Sequence, residues 1–231
     1  MNLLLPLLLF GLAFLALFGI AELLYRVFKV HAEYTRKFVH IGTGLLTLLF
    51  PLVLEHFWQV AILCVSFLVI LLLSLRFGWF PSINAVKRKT AGSWLFAVIV
   101  IFAFLFYERV QLRPDAFFEP RYYFYAPLLI LAFCDPIAAL AGSRWKDFKG
   151  IKGPQKTFAG SLAFALLAFG VTFFLGQFFR NSGTPLSILI IGSAVTAVVT
   201  ALAERVTGDG WDNFTVPAVA MLCVLAVETF L

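Results

Sequence analysis

Residues 122–142, YYFYAPLLILAFCDPIAALAG, hold one charged side chain, Asp135, in 21 positions. A helix needs about 20 mostly apolar residues to cross the hydrocarbon core of a bilayer, so this stretch reads as a membrane span. No structural need accounts for an acid there. Inserting one costs about 2.5–3.5 kcal/mol, and residues that carry such a cost usually carry function. Gly142 lies seven residues beyond Asp135, which sets the carboxylate about 10 Å inside the end of the helix. Ala138, Ala139 and Gly142 follow it at i+3, i+4 and i+7. This small-residue stripe lets a neighbouring helix, a lipid chain or a nucleotide come close. Cys134 beside it reads as a small buried apolar residue.

Seven further stretches have the same character: roughly 3–25, 39–54, 57–75, 93–107, 158–179, 185–203 and 214–231. The chain as a whole is 62% hydrophobic and 13% charged, with mean hydropathy +0.97. Soluble domains run at about 25% charged and 45–50% apolar, so a soluble fold is excluded. Disorder is excluded by the same apolar content. The expected fold is all-α: a polytopic membrane protein, a bundle of about eight transmembrane helices, with residues 1–231 as one membrane domain. The first span lacks a basic leader and a small-residue cleavage site, so it is expected to stay as a helix.

Charge is distributed one-sidedly. Of the 18 Lys and Arg residues, 13 fall between spans one and two, three and four, or five and six. The positive-inside rule then puts these segments in the cytoplasm. Basic residues set between apolar tracts do not make a nucleic-acid-binding face, so no nucleic-acid partner is expected. Cys64, Cys134 and Cys223 show neither disulfide nor metal spacing.

Four polar clusters fall on that same side. Glu33, Arg36, Lys37 and His40 lie at i, i+3, i+4 and i+7, one helical stripe. Two cations beside a histidine suit a phosphate and a proton carrier. Lys87–Ser93 opens the fourth span and echoes Lys156–Ser161, which opens the sixth. The basic, glycine-bearing run from Gly142 to Ser161 ends at a helix start, where backbone N–H groups and Lys156 together favour polyphosphate. It lacks Walker A spacing. Last, Glu204, Asp209 and Asp212 put three acids within nine residues, with Asn213 adjacent. Carboxylate and amide oxygens are the hard ligands Mg²⁺ prefers. Acids for a metal, a phosphate-binding turn and a site at headgroup depth together suit phosphoryl or nucleotidyl transfer to a lipid.

In order and spacing, Arg36-Lys37-x-x-His40, Asp135-Pro136-x-Ala138-Ala139-x-x-Gly142, Lys156-Thr157-x-x-Gly160-Ser161 and Glu204…Asp212-Asn213-x-x-x-Pro217 resemble a known set. It belongs to the CTP-dependent polyprenol kinases (phytol, dolichol and yeast-type diacylglycerol kinases), relatives of phosphatidate cytidylyltransferase. The resemblance runs from about residue 33 to 217. It implies a multi-pass enzyme that uses CTP and a divalent metal to phosphorylate a membrane lipid alcohol. Carried onto this chain, Asp135, Asp209 and Asp212 would hold Mg²⁺, supported by Glu204 and Asn213. Gly142, Lys156, Thr157, Gly160 and Ser161 would bind the nucleotide phosphates. Arg36 and Lys37 would stabilise the transferring phosphoryl group, and His40 or a carboxylate would take the hydroxyl proton. Ala159 stands where the family often has an acid, and Cys134 where it more often has glycine. The longer cytidylyltransferase signature is absent, which favours kinase over cytidylyltransferase. A small ion-coupled transporter is the third expectation, and the one-sided charge weighs against it.

Overall fold

Lipid offers a backbone no hydrogen-bond partners, so each apolar tract must close its own ladder as a helix. The computed structural model describes residues 3–84, 92–113, 115–144 and 156–230. Among them are eight helices long and apolar enough to cross a membrane. Helix α1 is Leu4–Arg26. Helix α2 is Ala32–Thr47, continued after a break by the short turn Phe50–Val53. Helices α3 and α4 are Phe57–Phe77 and Gly92–Val110. Helix α5 is a composite: Pro120–Leu129, a π-helical turn Ile130–Cys134, then Asp135–Arg144. Helices α6, α7 and α8 are Phe158–Phe179, Leu186–Val206 and Asp212–Phe230. The protein is therefore an all-α, polytopic membrane protein.

The expected bounds hold closely for α1, α3, α6 and α7. Helix α2 is different: it starts at Ala32, not near residue 39. Glu33, Arg36 and Lys37 lower the hydropathy of its first two turns, yet these turns are helical, with the His31 side chain accepting from the Glu33 amide. Arg36 and Lys37 are thus helix residues, not loop residues. Helix α4 runs on to Val110 rather than ending near 107; Glu108, in its last turn, accepts from Phe57 N at the start of α3 at 2.7 Å. The Lys87–Ala91 part of the second polar cluster and residues 145–155 of the basic run lie outside the described residues.

Two packing zones divide the molecule. Helix α1 packs on α2, and α3 on α4, around a core that includes Phe10, Phe14, Phe50, Val60, Leu63, Val100 and Phe104. Helices α6, α7 and α8 pack in sequence, and the second half of α5 lies on α6. Here the core is built from small residues, Ala138, Ala168, Ala197, Ala201 and Ala220, around Phe164. Without a hydrophobic drive between helices in lipid, such small contacts let backbones approach and gain dispersion energy. Helix α4 also touches α8 and α5, and α2 touches the π turn, so the two zones meet around α5.

Candidate active site

Pro136 shapes the centre of α5. A proline ring clashes with the carbonyl four residues back and has no N–H to donate. The helix answers by widening into the π turn Ile130–Cys134. In that register the Leu131 carbonyl would pair with the nitrogen of residue 136, which carries no hydrogen. His40 Nε2 on α2 lies 3.4 Å from this oxygen. A carbonyl only accepts, so Nε2 carries the hydrogen, and Nδ1 is left as the acceptor nitrogen. Such π turns often sit at functional sites. Asp135, half-buried, follows directly and is within electrostatic reach of Asp212, His40, Lys156 and Arg36.

The acidic segment is a tight reversal between α7 and α8. Asp209 and Gly210 both adopt left-handed backbone, with φ of 54° and 87°, and Trp211 N donates to Gly208 O at 3.0 Å. Two consecutive positive φ values define a type I′ turn, which glycine enters without strain and Asp tolerates. The reversal brings Glu204, at the end of α7, opposite Asp212, at the start of α8. Lys156 stands between them. Its Nζ is 2.8 Å from Glu204 Oε1 and 3.5 Å from Asp212 Oδ2, and it also donates to the Glu204 carbonyl. Glu204 is 8% exposed at its side chain and Lys156 25%.

Thr157, next in sequence, caps α6: its hydroxyl accepts from Gly160 N at 3.1 Å. Gly142 and Gly160 are where α5 and α6 cross. A Cβ on Gly142 would sit 2.7 Å from Thr157 Oγ1, and one on Gly160 would sit 3.0 Å from the Ala138 carbonyl. Both glycines therefore hold the lysine-bearing segment against the helix that carries Asp135. Asn213 uses its amide to donate to Gly92 O at 2.8 Å, fastening α4 to the acidic turn and leaving its carbonyl oxygen for another partner.

All the sequence-derived site residues line one cavity of about 1230 Å³. Arg36, Lys37, His40, Asp135, Gly142, Lys156, Thr157, Gly160, Ser161, Glu204, Asp209, Asp212 and Asn213 lie on its polar side. Asp209 is exposed at the tip of the turn. Arg36 donates through Nη2 to Glu33 at 2.8 Å, while its Nε is buried without a protein partner, a donor aimed at no group of the described residues. Two features escape the sequence reading. Arg205 lines the cavity and its Nη1 donates to Ser161 Oγ at 3.2 Å; as a single charge beyond the end of a span it reads only as an anchor. The cavity also continues into an apolar arm walled by Phe14, Phe50, Leu63, Phe67 and Val100.

Among the described residues, no three His, Cys, Asp or Glu side chains gather closely enough to enclose a metal ion. The donor set is one of hard oxygens with an ammonium inside it. It fits an ion such as Mg²⁺, which keeps several waters and binds through one or two carboxylates plus phosphate oxygens, rather than an all-protein cage.

A chamber of cations and carboxylates shares one cavity with an apolar wall among eight helices able to span a membrane, which defines the class as an integral, multi-pass membrane protein. The chain is 33% identical over 201 residues to phytol kinase of Synechocystis sp., an alignment covering 85% of this chain and 80% of that protein. It belongs to the polyprenol and phytol kinase family, the lipid-alcohol kinases. No family model matches the chain, and no solved structure matches it.

Proposed function

We propose that the protein is a CTP-dependent kinase that phosphorylates the hydroxyl of a membrane lipid alcohol, with its site on the cytoplasmic face. The observation that carries this reading is the continuity of one cavity, charged at one end and apolar at the other. A nucleotide and a lipid must meet there. The cytoplasmic assignment rests on the 13 basic residues that flank this side of the spans. CTP as donor rests on membership of the family.

Phosphoryl transfer asks a protein for position and charge neutralisation more than for covalent chemistry. Lys156 and Arg205 approach the phosphates from α6 and α7. Arg36, with its unpartnered Nε, and Lys37 meet the transferring group from α2. Asp135 and Asp212 would hold Mg²⁺, with Glu204, Asp209 and Asn213 in support. When bound, the ion neutralises charge that develops on the phosphoryl oxygens. His40, its Nε2 hydrogen directed to the Leu131 carbonyl, keeps Nδ1 to take the proton of the lipid hydroxyl, with Asp135 as the neighbouring base.

The test is transfer of label from the γ-phosphate of CTP to a lipid alcohol by the purified protein in lipid nanodiscs. Phospholipid and CDP are the expected products. CDP-lipid and pyrophosphate would make the protein a cytidylyltransferase instead. Asp135→Asn and Lys156→Ala are each expected to lower the rate at least a hundredfold, on the order of the loss seen when one preorganised charge is removed. Unchanged rates in both would overturn the assignment.

A further inference from the structure

The apolar arm of the cavity has an end. Along α2, moving away from the charged chamber, the wall passes from His40 through Thr43 and Thr47 to Phe50. The two threonine hydroxyls are engaged by their own helix: Thr43 donates to Val39 O at 2.8 Å and Thr47 to Thr43 O at 2.7 Å. They therefore make no polar demand on what passes them. Phe50 is 1% exposed. Its ring meets Phe10 at 4.9 Å and Phe14 at 6.3 Å, and Phe14 meets Phe67 at 4.8 Å. Behind this aromatic group lies the packed core of α1, α3 and α4, including Val60 and Phe104. The arm is blind.

We infer that this arm binds the hydrocarbon tail of the acceptor, and that Phe14 and Phe50 set the longest tail it accepts. The inference rests on the lipid-alcohol kinase reading for the identity of the ligand, but the length limit comes from the geometry. Ten residues separate His40 from Phe50 and fourteen separate Arg36 from Phe50, so the arm is about 15–21 Å deep. An extended chain advances roughly 1.2 Å per bond, which gives room for about 13–17 bonds. That is an isoprenoid of about three to four units, each contributing four main-chain bonds. A tail of dolichol length would have to leave the arm sideways or stay outside it.

The experiment separates tail binding from transfer. Thermal stability of the nucleotide-free protein in nanodiscs is measured with geraniol, farnesol, geranylgeraniol, phytol and dolichol. Phosphorylation of the same series is then followed with CTP. Stabilisation is expected to rise to geranylgeraniol and phytol and to be absent with dolichol. Phe50→Ala and Phe14→Ala, with Phe50→Leu in case the larger cavity unfolds the bundle, are expected to raise the rate with longer prenols about tenfold relative to phytol, the discrimination typical of a hydrophobic pocket. A length cut-off in binding without phosphorylation of any alcohol would keep the tail site and remove the kinase reading. Phosphorylation of phytol and dolichol at equal rates, or the same length profile in wild type and variants, would overturn the tail-length inference and leave the kinase reading intact.

Discussion

Lys156→Met probes the lysine that stands between Glu204 and Asp212. Its ammonium lies 2.8 Å from Glu204 Oε1 and 3.5 Å from Asp212 Oδ2. Removing one partner from a fully buried ion pair costs about 3–5 kcal/mol, because the other charge is stranded. Lys156 is a quarter exposed and Glu204 only 8%, so water relieves part of that penalty, and about 2–3 kcal/mol is expected. Glu204→Gln keeps an acceptor for the ammonium and leaves Asp212 as its counter-charge; a loss of about 1 kcal/mol is expected. In the double variant no carboxylate is left stranded at position 204. It should lose less than the two single losses together, by about 1–2 kcal/mol. The assay is thermal unfolding of the four proteins in the same detergent, where 1 kcal/mol moves Tm by about 2–4 °C at this chain length. Strictly additive Tm losses would show that Lys156 and Glu204 do not act as a pair, and the geometry of the chamber would have to be redrawn.

Two further outcomes can be checked in the same way. Gly160→Ala places a methyl 3.0 Å from the Ala138 carbonyl, whereas Gly170→Ala, ten residues along the same helix, meets nothing within 4 Å; the first should cost about 1–3 kcal/mol in unfolding free energy and the second should be neutral or stabilising by up to about 1 kcal/mol. At the far end of α8, Glu228 accepts from Phe117 N at 2.8 Å and from the Tyr123 hydroxyl; Glu228→Ala should destabilise by about 1–3 kcal/mol, yet leave the nucleotide KM unchanged, since 16 residues of helix, about 24 Å, separate it from Asp212.

Helices were legible wherever nothing polar interrupted them. The long apolar runs of α1, α3, α6 and α7 state their own ends. The start of α2 was hidden because Glu33, Arg36 and Lys37 depress hydropathy, although their i, i+3, i+4 spacing already carried the helical period. The π turn was not legible, since one added residue in a uniformly apolar stretch leaves no mark on periodicity; Pro136 was its only trace. Asp135, Glu204 and Asp212 stood out because acids are scarce in this chain, 12 in 231 residues, and are costly near lipid; Lys156 stood out because it closes a basic, glycine-bearing run at a helix start. Arg205 did not, because a lone cation at a span's end is the ordinary anchor. The apolar arm could not be read at all. With 28 phenylalanines in the chain, composition says nothing about which of them face a cavity, and only packing selects Phe14 and Phe50.

The oxygen that His40 meets belongs to the main chain of residue 131. No change of side chain there can delete it, so a scan of positions 129–133 would register packing defects and miss the contact. Its genetic address is five places downstream, at Pro136, where restoring an amide hydrogen would give the Leu131 carbonyl a rival donor inside its own helix. Sensitivity mapped by mutation would thus appear at a residue that His40 never touches.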